Sequence, residues 1–227
     1  MKRRITLVFL GLVLAVVFTK PAMAKDRLAM GYTSASGVFA GLWLAHEGKY
    51  FEKYDIDSHL VLIASGSLMV QAMLGGDLPV SAAAGSAAVD ASLGGADIGM
   101  FGTLVKVPAF YIMALPEIKS IEDLRGKSVG VTRFGSSTDF TMRYVLRKQG
   151  LEPGRDVTII QTGDVFAAAA MLRTRAIVAA PFSSPSNLRA EEAGARVLLN
   201  MGTAGVYFPH DAFMARRSFI NANQDLV

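Results

Sequence analysis

Short apolar runs that stop at a turn of serine and glycine and lead straight into a helical stretch recur along nearly the whole chain. This alternation restricts the fold more than any other feature. Strands separated by helices pack best as a mainly parallel sheet covered by helices, which is an α/β architecture. Runs at 28–32, 60–63 and 79–83 read as strands, followed by helical spacing at 38–46, 68–74 and 87–93. Two further strands read at 97–104 and 108–115. Over 116–126 the composition changes, with Glu117, Lys119, Glu122, Asp123 and Arg125 crowded together just before Lys127, and a crossing into a second domain is expected there. The alternation then resumes with strands at 128–132, 157–161, 176–180 and 196–199 and helices at 139–149, 165–172 and up to Glu192. Residues 205–214 read as an extended segment crossing back.

Four of the turns share one composition: Ser34-Ala-Ser36-Gly37, Ser65-Gly66-Ser67, Gly85-Ser86 and Gly135-Ser136-Ser137-Thr138. Small hydroxyl residues cap the helices that follow, and glycine lets a backbone approach closely. Helix amino termini carry unpaired N–H groups and partial positive charge, so several converging on one crevice suit an anion or a polar small molecule. In open α/β sheets that crevice lies off the carboxyl ends of the strands. Arg133, beside the fourth turn, has the planar fork for a carboxylate, sulfonate or phosphate, and is equally placed for a surface ion pair or for packing on Phe134. Asp139 reads as a first-turn helix residue, and Tyr32 and Trp43 as core or cleft lining.

Catalytic patterns are missing. There is no cysteine, no GxxxxGK[ST], no GxGxxG opening a helix and no GxSxG elbow. His46, His59 and His210 stand far apart, with no HExxH, so neither a metal site nor a catalytic base is read from them. Binding is therefore expected over catalysis, with no cofactor and no metal. Residues 1–24 explain the charge. Lys2, Arg3, Arg4 and Lys20 account for the whole formal excess of +4, and a largely apolar stretch of 14 residues at 5–18 leads to Ala22-x-Ala24. A basic start, an apolar stretch and a small-residue site form an export signal with cleavage expected after Ala24. The stretch is shorter than the roughly 20 residues of a spanning helix. The rest is formally neutral, which argues against nucleic acid as a partner. With 52% hydrophobic and 19% charged residues, it has enough apolar material for a core.

Several segments carry a family likeness. Leu124-Arg-Gly-Lys-Ser-Val-Gly-Val131, Gly135-Ser-Ser-Thr-Asp-Phe140, Leu146-Arg-Lys-Gln-Gly-Leu151 and Asp156-Val157 closely resemble the second domain of solute-binding proteins of the nitrate/alkanesulfonate/taurine and thiamine-precursor group. These are the extracytoplasmic receptors of ABC importers. Residues 41–56, from Gly41 to Ile56, resemble the group's first helix and its exit, and Gly76-Asp77 with Ala84-Gly-Ser-Ala-Ala88 its third βα unit. The resemblance implies a two-lobed periplasmic-binding fold of the type II kind. It also implies a monomer in the periplasm that closes on a small solute and delivers it to an inner-membrane permease. The lobes expected are 25–115 and 116–204, with 205–227 returning to the first and the carboxy-terminal part missing.

Carried over position by position, the first lobe gives Ser34, Ala35, Ser36, Gly37 and Val38, then Ser65, Gly66, Ser67 and Leu68, then Gly85, Ser86 and Ala87 as cleft residues. The second gives Arg133, Gly135, Ser136, Ser137 and Thr138, then Thr162, Gly163 and Asp164, then Pro181 to Ser183. Arg175 and Val178 stand where the group usually has a glycine and an aspartate. The alternative reading is an enzyme on the same fold in cofactor or pyrimidine biosynthesis. The relatives that make pyrimidines use a cysteine-rich motif, which is absent here.

Overall fold

The computed structural model describes residues 26–227, so the expected export signal and cleavage position lie outside the described residues. Strands β1 (Asp26–Tyr32), β2 (Ile56–Leu62), β3 (Val80–Ala83) and β4 (Gly99–Gly102) alternate with helices α1 (Ala40–Glu47), α2 (Gly66–Gly75) and α3 (Gly85–Leu93). β1 pairs in parallel with both β2 and β3. The sheet order is β2-β1-β3-β10-β4, and β10 (Ala212–Ala215) arrives from the far end of the chain, antiparallel to both neighbours. All four residues of β3 are buried, as a strand covered by helices on both faces requires. Leu28, Met30, Leu42 and Val80 pack on one face of this sheet, and Met69, Met73, Ala88 and Ile98 on the other.

The second lobe repeats the plan. Strands β5 (Tyr111–Ala114), β6 (Ser128–Val131), β7 (Thr158–Gln161), β8 (Ala179–Phe182) and β9 (Arg196–Asn200) form a sheet of order β7-β6-β8-β5-β9. Here β5 is the reversed strand, antiparallel to β8 and β9. Helices α4 (Ser137–Lys148), α5 (Val165–Arg173) and α6 (Asn187–Glu192) flank it. In α4 the reasons are local: Met142, Val145 and Leu146 form the buried stripe, Asp139 lies in the first turn, and Arg147 and Lys148 complement the dipole in the last. A final helix, α7 (Arg217–Ala222), follows β10. Among the described residues no helix is long and apolar enough to cross a membrane.

The strand expected at 108–115 as part of the first lobe is laid in the second sheet, as β5. An apolar run carries no label for the sheet it joins, because that choice is made by pairing with distant residues. The crossing therefore occupies 103–110. The charged segment 116–126 is a loop of the second lobe, where Asp123 accepts from the N–H groups of Lys119 and Ser120 at 2.8 and 2.9 Å. Each sheet is mixed, with three parallel neighbours broken by one reversed strand.

Two crossovers join the lobes, and they are hydrogen-bonded to each other. Phe208 N–H donates to the Lys106 carbonyl at 2.9 Å and His210 N–H to the Val105 carbonyl at 2.8 Å. Asp211, 1% exposed, pins them: its Oδ1 accepts from Thr103 Oγ1 at 2.9 Å, Leu104 N at 3.0 Å and Val105 N at 2.7 Å. Arg175 has φ +60°, a left-handed conformation that explains why glycine is usual at this position in the group it resembles.

Candidate functional site

Between the lobes lies a cavity of about 330 Å³. The first lobe contributes the turn after β1, with Thr33, Ser34 and Ala35, then Leu62, Ala64, Ser65 and Gly66 around the start of α2, and Ala84 before α3. The second lobe contributes Thr132, Ser136, Ser137 and Thr138 at the start of α4, Asp164, Val165 and Phe166 at the start of α5, and Ser183, Pro185, Ser186 and Arg189 after β8. Phe110 and His210 complete it from the two crossovers. Apart from the crossovers, the walls are strand ends running into helix starts, as open α/β sheets arrange their sites.

Hydroxyls dominate the second-lobe wall and are mutually bonded. Thr132 Oγ1, Ser136 Oγ and Thr138 Oγ1 form a triangle with edges of 3.0, 2.8 and 2.9 Å. Thr132 N–H donates to Thr138 Oγ1 at 2.9 Å, and Ser136 Oγ, at the cap of α4, accepts from Asp139 N at 3.4 Å. Across the cleft Ser65 Oγ and Ser67 Oγ are 2.8 Å apart. Rotatable hydroxyls donate or accept as a ligand requires. Fixed charge is sparse. Asp164 caps α5 through Ala167 N–H at 2.8 Å, and Arg189 pairs with Glu192 at 3.1 Å. Burial pushes the His210 imidazole down to about 4, with the Val107 carbonyl acting the other way. Among the described residues no three or more His, Asp or Glu side chains gather where a metal could be held.

Of the expected cleft residues, Ser34, Ala35, Ser65, Gly66, Ser136, Ser137, Thr138, Asp164 and Ser183 line this cavity. The others are placed elsewhere, each for a physical reason. Ser36 and Gly37 join the lobes instead: Ser36 Oγ and Gly37 N–H both donate to the Ser184 carbonyl, at 3.2 and 3.0 Å. Val38 and Ala87 pack with the core, and Leu68 is half-buried without lining the cavity. Ser67 is reached only through Ser65, and Ser86 is buried in the first turn of α3. At Gly85 a Cβ would lie 2.4 Å from Pro209 Cγ, so this glycine admits the return crossover and not a ligand. Gly135 and Gly163 have φ of +73° and +90°, so their glycines answer a backbone requirement. Arg133 is exposed outside the cavity. Pro181 is buried within β8, opposite Ile112.

The family model described as NMT1/THI5 like matches residues 36–227. The chain belongs to this family. Among curated proteins this NMT1/THI5-like chain is 22% identical to YtlA of Bacillus subtilis (strain 168) over 224 residues, 96% of this chain but 66% of YtlA. It therefore spans slightly under two thirds of that relative's length. Among solved structures it is similar to the alkanesulfonate-binding protein SsuA from Xanthomonas axonopodis pv. citri bound to MOPS, with 23% identity, a TM-score of 0.75, and 88% and 69% of the two chains covered. The periplasmic nitrate-binding protein NrtA from Synechocystis PCC 6803 matches at 17% identity and a TM-score of 0.75, with 88% of this chain and 58% of that one covered. At these identities the likeness carries the fold.

The cavity of this NMT1/THI5-like protein also uses residues that carry little local signal. Leu62, Phe110 and Phe166 give it an apolar part, and His210 a buried imidazole. One pointer to His210 exists in the sequence: His210-Asp211 is a polar pair inside an otherwise apolar extended segment expected to cross between lobes, and such a segment must pass the base of the cleft.

Proposed function

We propose that this protein is the extracytoplasmic substrate-binding component of an ABC-type importer, holding a small polar or anionic organic solute between its lobes and delivering it to a membrane permease. The observation that carries this reading is a cavity into which hydroxyl-bearing strand-to-helix turns of both lobes open, beside the paired crossovers that join the lobes. Hydroxyls and helix starts supply donors for the polar end of a solute, and Leu62, Phe110 and Phe166 supply apolar contact for its carbon part. The family membership supports the same reading, as do the names of the sulfonate- and nitrate-binding neighbours. The basic and apolar leader at 1–24 supports an extracytoplasmic location.

A thermal-shift screen against sulfonates, nitrate, pyrimidines, carboxylates and aromatic acids tests this. A ligand at about 100 times its Kd stabilises the native state by about 2.7 kcal/mol. For a chain of this size that raises Tm by roughly 5–10 °C. Stabilisation by one class, with the compound recovered unchanged after equilibrium dialysis, supports capture. No stabilisation by any class, or chemical conversion of the bound compound, overturns it.

A further inference from the structure

Leu62 and Phe166 line the cavity from opposite lobes, are 52% and 64% exposed, and belong to no core cluster among the described residues. The sheet orders place both at the same end. The crossovers join β4 and β10, together on one side of the first sheet, to β5 and β9, together on one side of the second. Leu62 closes β2 and Phe166 follows β7, the strand at the opposite edge of each sheet. Ala64 and Val165 line the cavity next to them. The end of the cavity away from the crossovers is therefore largely apolar on both walls. Ser65 also follows β2, but its hydroxyl is engaged by Ser67 at 2.8 Å. The hydroxyls of Ser34, Thr132, Ser136 and Ser183 follow the inner strands β1, β6 and β8.

Charge points the same way. Among the described residues, Asp164 is the carboxylate that lines the cavity and Arg189 the side-chain cation. Asp164 caps α5 beside Phe166, whereas Arg189 belongs to the helix after β8, the strand that pairs with β5. An anionic head turned outward meets a carboxylate, and turned inward it meets hydroxyls. Resting on the solute-binding reading, we propose that the solute is an amphiphilic anion held head inward, its carbon chain running outward between Leu62 and Phe166, and that these two side chains set the preferred chain length. Each methylene buried between them strengthens binding by up to about fourfold. Nitrate, which has no chain, gains nothing from this end and is a poor solute by comparison.

Calorimetric titration with methane-, butane- and hexanesulfonate, and with acetate and hexanoate, tests this in wild type, Leu62→Ser and Phe166→Ser. Wild-type affinity should rise roughly two- to fourfold for each methylene until the chain clears the pair. Each variant should flatten that rise, weakening hexanesulfonate roughly threefold or more and methanesulfonate less. In the wild type, nuclear Overhauser contacts should join the terminal methyl of bound hexanesulfonate to the Leu62 and Phe166 side chains, and they decide the matter where a variant fails to fold. Equal affinity for short and long members, an undiminished rise in both variants, or absence of those contacts overturns the assignment and leaves solute capture standing. Tighter binding of 3-aminopropanesulfonate than of butanesulfonate also overturns it, because the outer end then belongs to Asp164. Uptake of no member overturns the assignment, and the thermal-shift screen then decides capture separately.

Discussion

Burial holds the His210 imidazole down to about 4, against 6.5 for an open chain, so native and unfolded states take up a proton at different pH. Below about 6.5 the unfolded state is protonated while the native state is not, and the unfolded side gains. Stability should therefore be full above 6.5, fall as pH drops towards about 4, and lose roughly 3 kcal/mol over that window. Asp156, held to about 2 by the Arg155 side chain and the Glu152 N–H, contributes its own loss only below that range. Urea midpoints across the window check this, and His210→Gln should flatten the curve. A second residue is strained in the opposite sense. Arg175 sits at φ +60°, which costs an L-residue roughly 1 kcal/mol, and its ion pair with exposed Glu117 is of the kind that adds little in solvent. Arg175→Gly should raise the urea midpoint slightly, and a lower midpoint would show that the pair outweighs the backbone.

At the scale of elements, the crossovers depend on Asp211. Its Oδ1 satisfies two backbone N–H groups and one hydroxyl at a site 1% exposed. Each donor left dry costs about 1–3 kcal/mol, so Asp211→Ala should lose about 3 kcal/mol or more in chemical denaturation. Asp211→Asn, which keeps an oxygen acceptor, should lose less, and equal losses would sink this account. The same elements show why the sequence was only partly readable. Strand-to-helix units such as β1–α1, β3–α3 and β6–α4 were legible because their signals are local: an apolar run, a Ser/Gly stop, a helical stripe. Within each turn the residues just before the helix, such as Ser34 and Ser65, face the cleft. Inside the first turn the outcome differs from helix to helix, since Ser137 and Thr138 of α4 still line the cavity while Ser86 of α3 is buried outside it, and composition does not reveal that difference. β5 joins the second sheet and not the first, and Phe110 and His210 reach the cavity without a strong local signal, because their places depend on pairings with residues far along the chain.

On the proposed function the molecule opens to admit a solute and closes to hold it, and its lobes touch through a specific contact. Ser36 Oγ and Gly37 N–H, at the start of the 3₁₀ turn Gly37–Phe39, both donate to the Ser184 carbonyl across the cleft mouth. Two such bonds favour the closed arrangement by about 1–3 kcal/mol, or roughly fivefold to a hundredfold in population. Gly37→Pro isolates this contribution. Ser36 has φ −118° and ψ 144°, the extended conformation a residue before proline prefers, and position 37 opens a helical turn where a missing N–H costs nothing locally. The substitution deletes one latch bond and sets a ring carbon where the Ser184 oxygen lies. Lobe folding should be unchanged by circular dichroism, while small-angle scattering shows a larger ligand-free radius and a captured solute dissociates several-fold faster. An unchanged radius together with unchanged dissociation would mean that the crossovers alone set the closed state, with the Ser184 contact a consequence of closure and not a cause.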